Sequence, residues 1–131
     1  MSVGSEERSS GAERTAIVTG GGSGIGLAIG TRLARDGLAV AIFDRDGEAA
    51  EAAAAKIGAA SGRAMGLTVD VTDRAGIEGA VDEVRSGLGS PTVLVNNAGV
   101  EGFDKFLDIT PENWNRLLEV NLTGTFNCCQ V

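Results

Sequence analysis

The stretch TAIVTGGGSGIG, residues 15–26, decides the fold, because it carries the chain from a strand directly into a helix. Its first five residues are apolar or β-branched and predict a short buried strand. Ile25, Ile29 and Leu33 then recur at helical spacing and predict an amphipathic helix that runs to about Asp36. A buried strand that passes through a glycine turn into a helix is the start of a βαβ unit.

Three glycines in this stretch indicate a phosphate-binding turn. Gly20 ends the strand, where a tight turn can need a positive φ, Gly24 lets the backbone approach a phosphate, and Gly26 lets the helix lie close to the strand. The free N–H groups and the dipole of the helix start favour an anion there. We therefore predict a pyrophosphate site at Gly20, Gly22, Ser23, Gly24, Ile25 and Gly26. The alternative is a flexible glycine turn without a ligand, which the flanking strand and helix disfavour, although the spacing is not G-x-G-x-x-G.

Strand and helix signals keep alternating along the rest of the chain. Three further apolar runs predict buried strands, at 38–43, 64–69 and 92–95. Asp46, Thr72 and Thr110 are the predicted caps of the helices between and after them, and Gly58 is expected to follow the last turn of the alanine-rich helix. The alternation predicts an α/β fold, a Rossmann-type parallel sheet with helices on both faces. The predicted sheet has about four strands in the order 3-2-1-4. It would therefore be incomplete compared with the doubly wound fold, which has ~six strands.

Composition restricts the classes of function. The 131 residues suit one domain or part of one, with a polar tail over residues 1–14 that we expect to be disordered. A net charge of −7 disfavours nucleic acid as a partner, and no apolar run approaches the ~20 residues of a membrane helix. The polar start is unlike a secretory signal. With no His, and with Cys128 and Cys129 adjacent, we expect no metal site, no disulfide and a cytoplasmic setting.

Charged residues follow the second predicted strand directly. A carboxylate at Asp44 can accept hydrogen bonds from ribose hydroxyls and would repel a 2′-phosphate, whereas the alternative is a capping or turn residue. Arg45 beside it is a group that could meet a 2′-phosphate instead. We give Asp44 more weight because it stands at the strand end.

The other polar candidates lie farther along the chain. Asp70 and Val71 follow the third strand, and NNAG at residues 96–99 follows the fourth. Alone, each segment is more typical of a turn, and Asn121 in the last helix is more typical of a polar helix position or a locally bonded amide. Their value is collective, because the carboxyl ends of parallel strands are where open α/β sheets bind ligands.

Taken together, these segments resemble the short-chain dehydrogenase/reductase family. The resemblance covers residues 15–131 and rests on the glycine run, Asp44, Asp70-Val71, NNAG at 96–99 and NLTG at 121–124, in the family's order and spacing. It implies a partial NAD(P)-binding Rossmann domain with NAD as cofactor. In it, the glycine run would bind the pyrophosphate, and Asp44 would bind the adenosine ribose and select NAD over NADP.

The resemblance also implies roles for the later segments. Asp70 and Val71 would flank the adenine. Asn97, Ala98 and Gly99 would support the central strand and line the cofactor site. Asn121 would be the catalytic-site Asn, which holds a water in a proton relay. It is the only member of the family's catalytic set that matches a position in this sequence.

Three catalytic residues that the resemblance implies have no match here. The family's reaction uses a Ser that polarises the substrate oxygen, a Tyr general base and a Lys four residues later, all after the Asn-bearing helix. The sequence has no Tyr, and Lys56 and Lys105 both precede Asn121. We therefore expect a chain truncated before these residues and inactive alone. An uncovered edge on the fourth strand would make it behave poorly in solution.

The expected function is hydride transfer between a secondary alcohol or ketone and the nicotinamide ring by an NAD-dependent enzyme. The alternative is a non-catalytic NAD-binding or interaction fragment; a Rossmann-like methyltransferase is a third reading, which NNAG argues against. Residues 100–106 loosely resemble members that act on acyl thioesters or cyclic hydroxy compounds. The resemblance further implies a homotetramer or dimer for the full-length parent.

Overall fold

The computed structural model describes residues 13–131 and contains one parallel sheet among them. Its strands are β1 (Thr15–Thr19), β2 (Ala39–Asp44), β3 (Ala64–Thr68) and β4 (Pro91–Val95). All three strand pairs are parallel and the order is β3-β2-β1-β4, which confirms the predicted fold class and strand order. A parallel sheet in this order brings the carboxyl ends of all four strands to one edge.

Helices cover both faces of the sheet. They are α1 (Gly24–Arg35), α2 (Gly47–Ser61), α3 (Arg74–Gly87), α4 (Pro111–Leu118) and α5 (Gly124–Gln130), with a 3₁₀ turn at Phe106–Asp108. On one face, Val18 and Ile42 pack with Ile57 of α2. On the other, Phe43 packs with Ile77 of α3, and Cys128 of α5 lies against the same cluster. β1 is therefore buried throughout, as expected of a strand covered on both faces.

Two predicted helix boundaries were wrong. Gly58 lies inside α2, which continues for another turn to Ser61 and ends at Gly62 with a φ of +138°. Thr72 does not cap α3: the cap is Asp73, whose carboxylate accepts the Gly76 N–H, because the Thr72 hydroxyl is already hydrogen-bonded to Asp70. Thr72 and Asp73 both have side chains that can cap a helix, and the hydrogen bonds of the Asp70 turn decide which of them does so.

The other two predicted caps are confirmed. Asp46 accepts the Ala49 N–H at the start of α2, and Thr110 accepts the Asn113 N–H at the start of α4. The last helical stretch extends to Gln130, as its apolar spacing predicted, because α4 runs without a break into a π-helical turn at Glu119–Thr123 and then into α5. Single π-helical turns inside α-helices are frequent at functional sites.

The sheet edge and the last helices carry exposed apolar side chains. β4 is an edge strand of the described sheet, and Leu94 on it is about one-third exposed. Trp114, Leu118, Leu122 and Phe126 are all exposed along α4 to α5. Among residues 13–131, every helix is too short or too polar to cross a bilayer.

The predicted disordered tail falls mostly outside the described residues, which begin at Glu13. The Glu13 carboxylate lies 2.9 Å from the Arg63 guanidinium, and the Arg14 carbonyl accepts the Ala39 N–H. These two residues therefore continue the line of β1 toward the amino end of the sheet.

Candidate functional site

A cleft of about 400 Å³ opens at the carboxyl ends of the strands. It is lined by residues from every loop at that edge: Gly20, Ser23, Ile25, Asp44, Arg45, Val69, Asp70, Val71, Asn97, Ala98, Gly99, Val100 and Val120. Ten of these are residues that the sequence predicted for the cofactor site. The volume falls in the range of small-molecule sites, which are roughly 300–1,000 Å³.

The glycine run borders the cleft through Gly20, Ser23 and Ile25, and Gly20 has the positive φ predicted for it. Gly20 and Gly24 have φ values of +63° and +56°, a region that residues with a Cβ rarely adopt. A Cβ on Gly24 would meet nothing within 4 Å, so this part of the loop is open to a ligand. A Cβ on Gly26 would collide with the Gly20 carbonyl and the Asn97 side chain, so α1 begins in direct contact with the end of β1.

The start of α1 offers hydrogen-bond donors to the cleft. The first N–H groups of any helix have no partner within the helix. Ser23 is at the N-cap position with extended backbone and is exposed, and within the described residues its hydroxyl makes no capping bond to α1. Such N–H groups, together with the helix dipole, suit a phosphate. The predicted Gly22, Gly24 and Gly26 belong to this turn without lining the cleft themselves.

Thr19 joins the loop after β1 to the loop after β4 through hydrogen bonds. Thr19 was not predicted from the sequence as a residue of the site. Only 1% of Thr19 is exposed, and its hydroxyl accepts the N–H groups of Asn97 and Ala98 at 3.1 and 3.0 Å. The Asn97 Nδ2 donates to the Gly20 carbonyl at 3.0 Å. These bonds tie the loop after β4 to the loop after β1. The sequence carried no local signal for this role, because the bonded residues lie 78 and 79 positions apart.

Asp44 ends β2 with its carboxylate at the cleft. Oδ2 accepts the Gly22 N–H at 2.8 Å and Oδ1 accepts the Asp46 N–H at 2.9 Å. Asp44 can therefore both hold the local turn and bind a ligand. Each of its carboxylate oxygens keeps a further lone pair that can accept a hydrogen bond from the ligand. Gly22 leaves no room for a side chain here, because a Cβ would lie 2.7 Å from Asp44 Oδ2.

Asp70 and Val71 form the wall after β3. Asp70 Oδ1 accepts both the N–H and the hydroxyl of Thr72, at 2.9 and 2.7 Å, which makes the local turn that the sequence gave as the alternative. These two bonds hold the Asp70 pKa below its ordinary value of 3.8. Partial burial acts in the opposite direction and raises the pKa, whereas the positive charge of Arg45 also lowers it. Val71 is nearly buried and gives the wall an apolar surface.

Asn121 lies in the π-helical turn, beside the loop after β4. Its Nδ2 donates to the Val100 carbonyl at 2.9 Å and its Oδ1 accepts the Val100 N–H at 2.8 Å. A Cβ on Gly99 would lie 3.2 Å from the same Oδ1. The side chain is thus a locally bonded amide that holds the loop, and its role with a water in a proton relay stays a prediction.

Three apolar residues complete the cleft without having been predicted: Val69, Val100 and Val120. Val69 is fixed by its N–H, which donates to the Asp44 carbonyl at 2.9 Å. Each stands next to a predicted segment, so proximity in sequence was the only signal. Apolar walls with a few convergent polar groups are usual for a site that binds a small molecule or cofactor.

The strand order and this cleft define a Rossmann-type α/β domain with its site near the point where the strand order reverses, between β1 and β4. The profile of the short chain dehydrogenases matches residues 14–131. The chain belongs to the short-chain dehydrogenase family, whose dehydrogenases are oxidoreductases that typically use a nicotinamide cofactor.

Individual relatives agree with this assignment. The chain is 44% identical over 109 residues to 2-(S)-hydroxypropyl-CoM dehydrogenase 3 of Xanthobacter autotrophicus, which covers 83% of this chain and 43% of that protein. It is 39% identical over 117 residues to D-threitol dehydrogenase of Mycolicibacterium smegmatis, covering 89% and 45%. A crystal structure of a short-chain type dehydrogenase/reductase from Mycobacterium marinum matches with a TM-score of 0.86 and 30% identity, over 91% of this chain and 47% of that one. The chain thus spans about half the length of these relatives.

Proposed function

We propose that this chain is the cofactor-binding part of an NAD-dependent dehydrogenase that moves a hydride between a secondary alcohol or ketone and the nicotinamide ring. The observation that carries the choice of NAD is the Asp44 carboxylate at the end of β2, facing the cleft. The names of the relatives support the substrate class, because hydroxypropyl-CoM and threitol both carry secondary hydroxyl groups.

The residues of the cleft fit a dinucleotide. The donors at the start of α1 suit the pyrophosphate, and Asp44 suits vicinal ribose hydroxyls. Val69 and Val71 offer apolar contact to the adenine. When bound, the cofactor supplies the hydride chemistry, and the part of this chain is to bind and orient it. Asn121 holds the backbone of Val100, which lines the cleft after β4, and we propose that Asn121 serves the nicotinamide end.

Asp44→Ala tests the cofactor choice. We expect the Kd for NADH to rise about tenfold and the preference for NADH over NADPH to fall by a similar factor, because both the ribose acceptor and the charge that repels a 2′-phosphate are lost. Fluorescence titration of the chain with each reduced cofactor measures both constants. The ratio of the two decides the matter, since the lost bond to the Gly22 N–H would weaken both cofactors alike.

Asp73→Ala is the matched control for this test. It also removes a carboxylate that accepts a backbone N–H, here that of Gly76, but Asp73 caps α3 and does not line the cleft. It should lower the free energy of unfolding by about 1 kcal/mol and leave the ratio unchanged. Equal affinities of the unmodified chain for NADH and NADPH would show that Asp44 does not select the cofactor.

The 131-residue chain should bind NADH without catalysing turnover. It contains no Tyr to act as the general base that the family resemblance implies. The measurement pairs an NADH titration with an assay of NADH production from NAD and a panel of secondary alcohols that includes threitol. Turnover at the rate of a full-length relative, assayed alongside, would contradict the proposal. Binding without turnover is the expected result.

A further inference from the structure

We propose that Asn127 is a positioning residue for the adenosine end of the cleft, acting through the backbone of Val71; the inference rests on the dinucleotide function proposed above. Asn127 lies on α5 and is only 6% exposed. It does not line the cleft, but its Nδ2 donates to the Val71 carbonyl across 3.0 Å. Val71 does line the cleft.

The Val71 carbonyl depends on a donor from outside its own strand. The pairing of β3 with β2 ends at Thr68, so Val71 is beyond the ladder of the sheet. A buried carbonyl without a partner is unfavourable, and in native proteins nearly all such groups are paired. The Asn127 amide meets this requirement from a residue 56 positions away. The orientation of the Val71 peptide group is therefore set by α5.

A second contact presses α5 against the same residue. Gly124 is buried, and a Cβ built on it would lie 2.5 Å from Val71 Cγ2 and 3.0 Å from Val71 Cβ. The helix backbone thus touches the Val71 side chain while Asn127 holds its carbonyl. With both ends of the residue in contact with α5, a shift of the helix has to move Val71.

The shift would extend to Asp70. Thr72 donates both its N–H and its hydroxyl to Asp70 Oδ1, so Asp70, Val71 and Thr72 form one closed turn. A displaced Val71 therefore carries the Asp70 carboxylate with it. Both predicted adenine-flanking residues take their position from a helix that lies behind the cleft wall.

Asn127→Leu, titrated with AMP by calorimetry, tests this inference. AMP reports only on the adenosine end of the site. Leucine is of similar size but cannot donate, so the Val71 carbonyl loses its partner and the turn relaxes. We expect the Kd for AMP to rise about five- to tenfold, together with a lower melting temperature.

Thr15→Val is the matched control. The Thr15 hydroxyl is also buried and also donates to a distant carbonyl, that of Leu88, but at the amino end of the sheet. Its loss should lower the melting temperature without changing the Kd for AMP. A purely structural role for Asn127 predicts that the two variants behave alike.

Gly124→Ala approaches the same turn without removing a hydrogen bond. The added methyl group overlaps Val71, although alanine favours the helix itself. Gly79→Ala in α3 adds the same methyl group where nothing lies within 4 Å. We expect weaker AMP binding for Gly124→Ala alone, which keeps the inference testable if Asn127→Leu fails to fold.

The outcomes distinguish a failure of the proposed cofactor function from a failure of the proposed role of Asn127. If the unmodified chain binds neither AMP nor NADH, the proposed cofactor function is overturned and this inference with it. If the unmodified chain binds AMP and both Asn127→Leu and Gly124→Ala bind it equally well, the inference alone is overturned. A loss confined to these two variants, with Thr15→Val and Gly79→Ala unchanged, supports it.

Discussion

Gly26→Ala should abolish measurable NADH binding and lower the free energy of unfolding by about 3 kcal/mol, because the added Cβ has no room. It would overlap the Gly20 carbonyl and the Asn97 amide nitrogen, which already bond to each other at 3.0 Å. To admit a methyl group, α1 must move away from the end of β1. The donors of its first turn would then no longer face the site.

Gly79→Ala is the control that separates the steric clash at Gly26 from the general effect of replacing glycine by alanine in a helix. It places the same residue pair in a helix at an exposed position with open space around it, where alanine should stabilise by a few tenths of a kcal/mol up to about 1 kcal/mol. Urea unfolding and NADH fluorescence titration are measured for both variants. NADH affinity of Gly26→Ala within about threefold of the unmodified chain would contradict a role for the close packing of α1 against the end of β1 in cofactor binding.

Thr19→Val should release the NNAG loop and produce the second large effect. Valine has the same shape but no oxygen, so the partly buried N–H groups of Asn97 and Ala98 both lose their acceptor. Each unpaired group costs about 1–3 kcal/mol, and we expect a loss of roughly 2–4 kcal/mol of stability. NADH affinity should fall more than tenfold, because Asn97 and Ala98 both line the cleft.

Thr15→Val is the natural comparison, since it makes the same exchange at the other end of the same strand. Thr15 is also fully buried, but its hydroxyl donates to one carbonyl and accepts neither loop N–H. Unfolding curves and hydrogen exchange at the Asn97 and Ala98 amides measure the difference. Unchanged protection of these two amides in Thr19→Val would refute the proposed fastening of the loops.

The fold could be predicted because short segments of sequence determined it. The strand of residues 15–19 has the predicted bounds, and α1 begins within the glycine run and ends just before Gly37, as its apolar spacing indicated. The alternation of elements then allowed few topologies for the sheet. Most of the cleft lining could be predicted for the same reason, since parallel strands bring their carboxyl ends to one edge.

What the sequence did not reveal are contacts between residues far apart in the chain. Thr19 bonds to residues 78 and 79 positions away, and Asn127 to one 56 positions away. No local pattern distinguishes such a threonine from any other strand residue, or such an asparagine from a solvent-facing one. The wrongly predicted cap of α3 also depends on hydrogen bonds that the sequence does not show. Thr72 is bonded to Asp70 within the turn, so Asp73 caps the helix instead.

The π-helical turn at Glu119–Thr123 determines the direction in which the side chains of the following helix, α5, point. In an α-helix each residue advances by about 100°, so the one extra residue of a wider turn rotates the following helix by that angle. The rotation lets Asn121 point to Val100 while Gly124 and Asn127 point to Val71. Loss of a single residue from the turn would direct Asn127 elsewhere, so the length of this segment is constrained even where its side chains are exposed.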